Sequence, residues 1–117
     1  MARTPIITLT TDFGLNDHFI GTVKGVILSI VPEAVIVDIS HSVQAFDVLD
    51  GALTISQAYS YFPVGTTHVV VVDPGVGSER RAIIASTERH YFVAPDNGVL
   101  SMVFEREERM WVRQITA

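Results

Sequence analysis

The sequence predicts an α/β fold with three layers, in which a mostly parallel sheet carries helices on both faces. Two observations predict this class. Apolar runs of strand length alternate along the chain with segments whose apolar residues recur at helical spacing. The strand runs are apolar almost without interruption, which is typical of parallel strands buried on both faces. Because 117 residues are the length of one ordinary domain, residues 1–117 are expected to form a single α/β domain.

The first part of the chain is predicted to contain two strands with a helix between them. Residues 6–10 form a short β-rich run, and the turn signal 12–14 follows it. Apolar residues at helical spacing come next, and Pro32 ends them: Phe19, Val23, Val26, Ile27 and Ile30. Residues 34–39 are a second apolar strand. In the first helix, Gly21 and Gly25 are four residues apart, and we expect them to allow close packing of this helix on the sheet.

The remainder of the chain continues the same alternation. Asp47, with Asp50 three residues later, predicts the start of a helix that runs to about Tyr61. Asp96 is a candidate cap for a short helix that runs through Phe104. Further strands are predicted at 67–72, 81–86, 90–94 and 110–115. The last of these strands has nothing after it to cover it, a pattern that favours a chain that is part of something longer.

Composition excludes several classes of function. Thirteen acidic residues against eight basic ones give a net charge of −5, which argues against binding of nucleic acids. The chain has no cysteine, which excludes a disulfide scaffold, a zinc ribbon and thiol catalysis. The N-terminus lacks the apolar core of a signal peptide, and the longest apolar runs are too short to span a membrane. We therefore expect a cytoplasmic protein with no membrane partner.

Aspartates follow or close several of the predicted strands: Asp12 with Asp17 soon after it, Asp38, Asp73 and Asp96. In open α/β sheets, ligands bind outside the carboxyl ends of the strands. If the strands are parallel, these carboxylates meet at one edge of the sheet. The alternative is that they only cap helices and form turns, and for Asp96 that alternative is at least as good.

Asp73 is harder to explain as a cap, because it precedes Pro74 and the glycine-containing turn 75–77. Arg80 lies seven residues further on, across that turn, where its guanidinium can meet the carboxylate. Such a pair could orient a water molecule and help to deprotonate it. It could equally be a structural ion pair, which spacing alone favours. The turn lacks the features of a phosphate loop or a dinucleotide fingerprint.

The histidines do not predict a metal site. None of the four is spaced from another like a pair of metal ligands on a helix: His18, His41, His68 and His90. His41 directly follows the second strand, where a hydrogen-bonded loop residue is the favoured interpretation. An aspartate-rich edge could hold Mg²⁺, but no Asp-x-Asp arrangement is present, so no metal is assigned.

Five ordered motifs resemble a known family. They are Thr11-Asp12-Phe13-Gly14, Asp17 with Gly21-Thr22-Val23-Lys24-Gly25, Asp38-Ile39-Ser40-His41, Asp73-Pro74-Gly75-Val76-Gly77 with Arg80-Arg81, and Ala94-Pro95-Asp96-Asn97-Gly98-Val99-Leu100. Together they cover nearly the whole chain. They are similar to the S-adenosylmethionine hydroxide adenosyltransferases, the hydrolase branch of the fold shared with the fluorinating and chlorinating adenosyl transferases.

The resemblance implies hydrolysis of S-adenosylmethionine to adenosine and methionine, with water attacking the ribose 5′ carbon and no separate cofactor. By position, Asp73 and Arg80 match two members of a water-activating Asp-Arg-His set. Asp17 matches the carboxylate that binds the two ribose hydroxyls, and Asp12 supports the loop at the same mouth. Phe46 matches an aromatic residue that lies over the sugar or base. A carboxylate at Asp73, where halogenating relatives carry a tyrosine, would repel a halide and favours hydroxide transfer.

The resemblance also implies parts outside this chain. The third member of the set, a histidine in a His-Gly-Arg-Asp segment, is expected beyond residue 117. A β-rich C-terminal domain is likewise absent, so the chain resembles an incomplete N-terminal domain of a protein that is a homotrimer when full length. Three alternatives stay open: a non-catalytic nucleoside-binding module, a halogenating transferase and a Mg²⁺-dependent phosphohydrolase.

Overall fold

A computed structural model describes residues 4–73 and 81–116 of the chain. This part of the chain is an α/β domain with a six-stranded sheet, which confirms the predicted class. Its elements, in order, are β1 (Ile6–Thr11), α1 (Phe19–Ile30), β2 (Val35–Ser40), α2 (Val48–Ala58) with a 3-10 turn (Tyr59–Tyr61), β3 (Thr66–Val71), β4 (Ala82–Ser86), β5 (His90–Pro95), α3 (Ser101–Arg106) and β6 (Trp111–Gln114). None of the helices in these residues is long and apolar enough to cross a bilayer.

The sheet is mixed, so the prediction of a mostly parallel sheet is not confirmed. The strand order is β2-β1-β3-β5-β4-β6. β1 pairs in parallel with β2 and β3, and β3 pairs in parallel with β5. β4 is antiparallel to both of its neighbours, β5 and β6. The physical reason is the short connection 87–89 between β4 and β5, because a parallel pair needs a crossover of a dozen or more residues.

Local signals gave most helix and strand positions correctly, and of the two predicted helix caps one is confirmed and one is wrong. The Asp47 cap is confirmed, since its carboxylate accepts a hydrogen bond from the backbone N–H of Asp50 at 3.0 Å. Asp96 does not cap α3. Leu100 occupies the cap position, and the preceding turn is made by Asn97 and Gly98, whose φ is +89°. Ser101 lies five positions after Asp96, and the cap position is the one directly before Ser101.

The glycines of α1 do not allow the close packing that their spacing predicted. A Cβ atom added at Gly21 or Gly25 would have no described atom within 4 Å. The close approach is made instead by Gly51 of α2. A Cβ atom there would lie 3.1 Å from side-chain carbons of both Val72 and Val99. The absence of a side chain at Gly51 therefore sets the distance between α2 and the end of β3.

The main core lies between the sheet and the helices α2 and α3. Its buried members come from these helices, from the 3-10 turn, from strands β3 to β5 and from adjoining loops: Val43, Ile55, Tyr59, Val70, Val72, Ile83, Ala85, Phe92, Ala94, Val99, Leu100 and Val103. Tyr59 and Phe92 are the largest of these side chains. The core thus fixes the carboxyl end of β3, which precedes Asp73.

Two buried histidines form a polar chain inside this packing. His68 Nδ1 lies 2.7 Å from the hydroxyl of Thr8, and His68 Nε2 lies 3.2 Å from Nδ1 of His90. Tyr59 contacts both imidazole rings edge-on and donates its hydroxyl to Glu107. Burial, with a smaller effect of His90, lowers the pKa of His68 to about 3. Both histidines therefore stay neutral in the folded protein near neutral pH.

Candidate active site

Parallel pairing of β1 with β2 and β3 brings the carboxyl ends of these three strands to one edge of the sheet. Asp12 directly follows β1, and Asp38 is the fourth residue of β2. Asp73 lies two residues beyond the end of β3 and is half-buried. We expected these aspartates to share one edge if their strands were parallel. Strands β1, β2 and β3 are parallel, so the condition is met. We call this edge the acidic edge.

Asp12 and Phe46 lie together at the acidic edge. The Asp12 carboxylate accepts a hydrogen bond from the backbone N–H of Phe46 at 2.8 Å, across 34 positions of sequence. Phe46 has a φ of +61°, a left-handed conformation that is costly for an aromatic residue. Its side chain is 64% exposed, so packing of the ring does not explain this backbone. Strained residues of this kind cluster at ligand sites, and Asp12 holds this one in place.

Asp17 lies on the same β1–α1 connection as Asp12, two residues before the first residue of α1. One of its carboxylate oxygens accepts from the backbone N–H of His18 at 2.8 Å and lies 2.9 Å from the Nδ1 atom of the same residue. Both side chains are largely exposed. The carboxylate is therefore accessible to a ligand that presents hydroxyl donors.

The segment before Asp73 is fixed from the β5 side. The side-chain amide of Asn97 donates to the carbonyl oxygen of Val72 at 2.8 Å, and its oxygen accepts from Val99 N at 3.0 Å. Val72 is fully buried against Gly51. Arg80, the predicted partner of Asp73, lies outside the described residues, so the predicted pair stays a prediction.

Sequence reasoning did not foresee a hydrogen-bonded network around the buried His41. His41 Nδ1 lies 2.8 Å from the Thr11 hydroxyl, and Nε2 lies 2.7 Å from an Asp38 carboxylate oxygen. The other oxygen of Asp38 accepts from the Lys24 ammonium at 2.8 Å. Burial opposes ionisation of Asp38, but the hydrogen bonds from Lys24 and His41 outweigh it and lower the pKa of Asp38.

The residues of this network can be picked out in the sequence, but their arrangement in space cannot. Asp38 and His41 are three residues apart at the end of a strand, and Lys24 is the only lysine of the chain. His41 was expected to be a hydrogen-bonded loop residue, and both of its ring nitrogens do have partners. The contact with Thr11 spans 30 positions, so no local pattern could predict it.

The acidic edge can bind a cationic ligand and accept hydrogen bonds from hydroxyl groups. Ionised carboxylates are acceptors with up to four lone-pair positions, and several of them favour a positive charge nearby. Among residues 4–73 and 81–116, no group of three or more potential metal ligands occurs.

Comparison with known proteins gives a consistent result. Residues 7–117 match the family model for the SAM hydroxide adenosyltransferase N-terminal domain. An (R)-S-adenosyl-L-methionine hydrolase of Methanocaldococcus jannaschii is 46% identical over 86% of this chain and 40% of its own length. A fluorinase of Nocardia brasiliensis is more distant, at 31% identity over 88% of this chain and 42% of its own length.

A solved structure supports the same relationship. The crystal structure of an uncharacterized conserved protein from Thermotoga maritima matches 94% of this chain and 43% of its own chain, with a TM-score of 0.90 and 44% identity. The chain thus spans about 40% of the length of the relatives that it matches. The family model matches residues 7–117, and the Methanocaldococcus jannaschii relative is 46% identical. The chain therefore belongs to the SAM hydroxide adenosyltransferase family and matches its N-terminal domain.

Proposed function

We propose that the full-length protein hydrolyses S-adenosyl-L-methionine to adenosine and L-methionine. The observation that carries the proposal is the acidic edge, where Asp12 holds the strained Phe46 beside the end of β1 and Asp73 follows the end of β3. Relatives named (R)-S-adenosyl-L-methionine hydrolase support it. Carboxylates suit this substrate because its sulfonium is a cation and its ribose offers two hydroxyl donors.

The proposed reaction is a displacement at the ribose 5′ carbon. A water oxygen forms a bond to that carbon as the carbon–sulfur bond breaks, and the bonding electron pair leaves with sulfur. Methionine departs as a neutral thioether and needs no proton from the protein. The water gives up its proton, so the site must orient it in line with the breaking bond and supply a base.

Each residue of the proposed site has a distinct role. Asp73 and Arg80 orient the water and help to deprotonate it, with the Arg80 guanidinium holding the carboxylate in one geometry. Asp17 accepts hydrogen bonds from the ribose hydroxyls. Asp12 supports Phe46, whose ring covers the sugar or base. The reaction as proposed uses no cofactor and no nucleic acid, and S-adenosyl-L-methionine is the substrate.

Further properties belong to the proposal as well. We propose that helices cover both faces of the sheet as three layers, with α1 on the face opposite α2. Ile20 of α1 is buried and Leu9 of β1 is fully buried, which supports a contact of α1 with the sheet. We also propose that the full-length protein is a cytoplasmic homotrimer in which a second, β-rich domain completes the site.

The experiment is product analysis in ¹⁸O-labelled water. The full-length protein is incubated with S-adenosyl-L-methionine, and the products are identified by mass spectrometry. Adenosine labelled at its 5′ oxygen, together with free methionine, is the expected result. Unlabelled adenosine, or no adenosine above the uncatalysed background, contradicts the proposal. A 5′-halo nucleoside formed only with added halide would assign the protein to the halogenating branch instead.

A further inference from the structure

We propose that His41 is a positioning residue, which acts through Thr11 to hold the β1–α1 connection and Phe46 in their substrate-binding geometry. The inference rests on the proposed function and assigns a role to a histidine outside the water-activating set. Its basis is a continuous chain of hydrogen bonds from Lys24 through Asp38 and His41 to Thr11.

The direction of each hydrogen bond follows from the donors that are present. Asp38 is ionised and accepts only, so His41 Nε2 carries a proton and donates to it. In the neutral imidazole, Nδ1 is then an acceptor, and the Thr11 hydroxyl donates to it. The Thr11 oxygen keeps lone pairs, one of which accepts from the backbone N–H of Phe13 at 3.2 Å. The Lys24–Asp38 ion pair thus fixes the tautomer of His41, and this tautomer fixes the rotamer of the Thr11 hydroxyl.

His41 also contacts the connection through its backbone. Its carbonyl oxygen accepts from the N–H of Gly14 at 2.8 Å, and Gly14 has a φ of +76°, which permits the sharp turn. Thr11 and His41 therefore contact the two residues that directly follow Asp12, Thr11 at Phe13 and His41 at Gly14. Asp12, held in this way, accepts from Phe46 N at 2.8 Å.

Burial makes the network rigid where it meets the connection. Thr11 is 1% exposed and His41 is 4% exposed, whereas Phe46 and Asp17 are open to solvent. Buried hydrogen bonds with both partners present hold side chains in one arrangement. The exposed Phe46 is therefore connected, through Asp12 and the start of the β1–α1 connection, to buried residues.

The test uses two paired substitutions and a neighbouring control in the full-length protein. Thr11→Val removes the hydroxyl at nearly constant shape, and Thr11→Ser keeps it. His41→Asn places an amide oxygen near the position of Nδ1, whereas His41→Gln places an amide N–H near the position of Nε2. Thr10→Val is the matched control, because the Thr10 hydroxyl is buried and has no hydrogen-bond partner among the described residues.

We expect Thr11→Val and His41→Gln to raise KM for S-adenosyl-L-methionine about tenfold, with kcat changed less than about twofold, because the water-activating residues are not displaced. Thr11→Ser, His41→Asn and Thr10→Val should stay within about twofold of the unsubstituted KM. A merely structural role would lower the folded fraction, and with it kcat, at constant KM. That result, or an equal effect of Thr10→Val, overturns the proposal.

A second measurement does not depend on turnover. Amide hydrogen exchange at Gly14 and Phe46, followed by NMR with selective ¹⁵N labelling, should become faster in Thr11→Val and His41→Gln and stay unchanged in Thr10→Val. If the unsubstituted protein forms no adenosine, the proposed function fails and exchange alone decides about the network. Unchanged exchange at Phe46 in Thr11→Val overturns the positioning role, and faster exchange supports it.

Discussion

At the scale of single residues, Asp73 is the group on which we expect hydrolysis to depend most. Asp73→Asn keeps the shape of the side chain but removes its charge, so it can neither act as the proposed base nor form the proposed ion pair with Arg80. We expect a loss of turnover of about 100-fold or more, with adenosine affinity nearly unchanged. Initial rates and titration calorimetry with adenosine measure the two effects.

Asp47→Asn is the matched control for that substitution, because aspartate and asparagine are equally good helix caps and Asp47 caps α2. It should leave both turnover and adenosine affinity unchanged. Normal turnover in Asp73→Asn would show that the carboxylate does not activate the water.

Phe46 allows backbone strain to be separated from ligand contact. Phe46→Gly and Phe46→Ala both remove the exposed ring, but only glycine adopts a φ of +61° without steric cost. The glycine variant should therefore be more stable than the alanine variant by about 1 kcal/mol, measured by urea unfolding. If the ring covers the substrate, both variants should raise KM to a similar extent. Equal stability of the two variants would mean that the backbone relaxes out of this conformation.

At the scale of secondary-structure elements, the contact between α2 and the end of β3 decides where Asp73 lies. Gly51→Ala would place a methyl group 3.1 Å from Val72 and Val99, both fully buried and β-branched. Such overpacking costs about 1–3 kcal/mol, which exceeds the helix propensity gained, about 1 kcal/mol. We expect a net loss of about 1 kcal/mol in urea unfolding, together with slower turnover.

The glycines of α1 give the comparison for this substitution. A Cβ atom at Gly25 would have no described atom within 4 Å, so Gly25→Ala should stabilise the protein by about 0.5–1 kcal/mol through helix propensity alone. Stabilisation by Gly51→Ala to the same extent would show that α2 can move away from β3 without cost.

At the scale of the whole molecule, acid stability should reflect the two buried histidines. The titratable groups near these two histidines are Tyr59, Glu107 and Arg89, and each histidine also faces the other. Burial lowers the pKa of His90 and lowers that of His68 to about 3, against an ordinary value of 6.5. Below pH 6.5 the unfolded chain binds protons that the folded protein does not. The stability that depends on these two neutral histidines is therefore fully present above about pH 6.5. It is lost as the pH falls towards 3.

Urea unfolding at pH 7.5 and pH 5.0 tests this expectation. A histidine that stays neutral in the folded protein lowers the free energy of unfolding by about 1.4 kcal/mol for each pH unit below its ordinary pKa. Between pH 7.5 and pH 5.0 this amounts to about 2 kcal/mol. The stability lost on acidification should therefore be smaller in His68→Asn by about that amount. Asp38 does not interfere, because the stability that comes from its lowered pKa is fully present above about pH 3.8 and is lost only as the pH falls below that value. An equal loss in both proteins contradicts the prediction.

Local chemistry explains which parts of this molecule could be predicted from its sequence. Helical spacing and Pro32 locate α1, and the Asp47 side chain marks the start of α2, because both signals act within a few residues. The antiparallel direction of β4 was missed, although the short connection that dictates it was visible. Contacts such as Thr11 with His41 and Asp12 with Phe46 span 30 and 34 positions, so only the folded chain reveals them.

The strand order also has a consequence for the order of folding events. β1 lies between β2 and β3, and the hydrogen bond from Thr8 to His68 closes a loop of 60 positions. Closing such a loop lowers the chain entropy before the stabilising contacts have formed. The pairing of β1 with β3 is therefore expected to be slow. A chain emerging from the ribosome can pair β1 with β2 early, but one side of β1 stays open until β3 has been synthesised. During that interval the nascent domain presents an unpaired strand edge, the kind of surface at which chains aggregate.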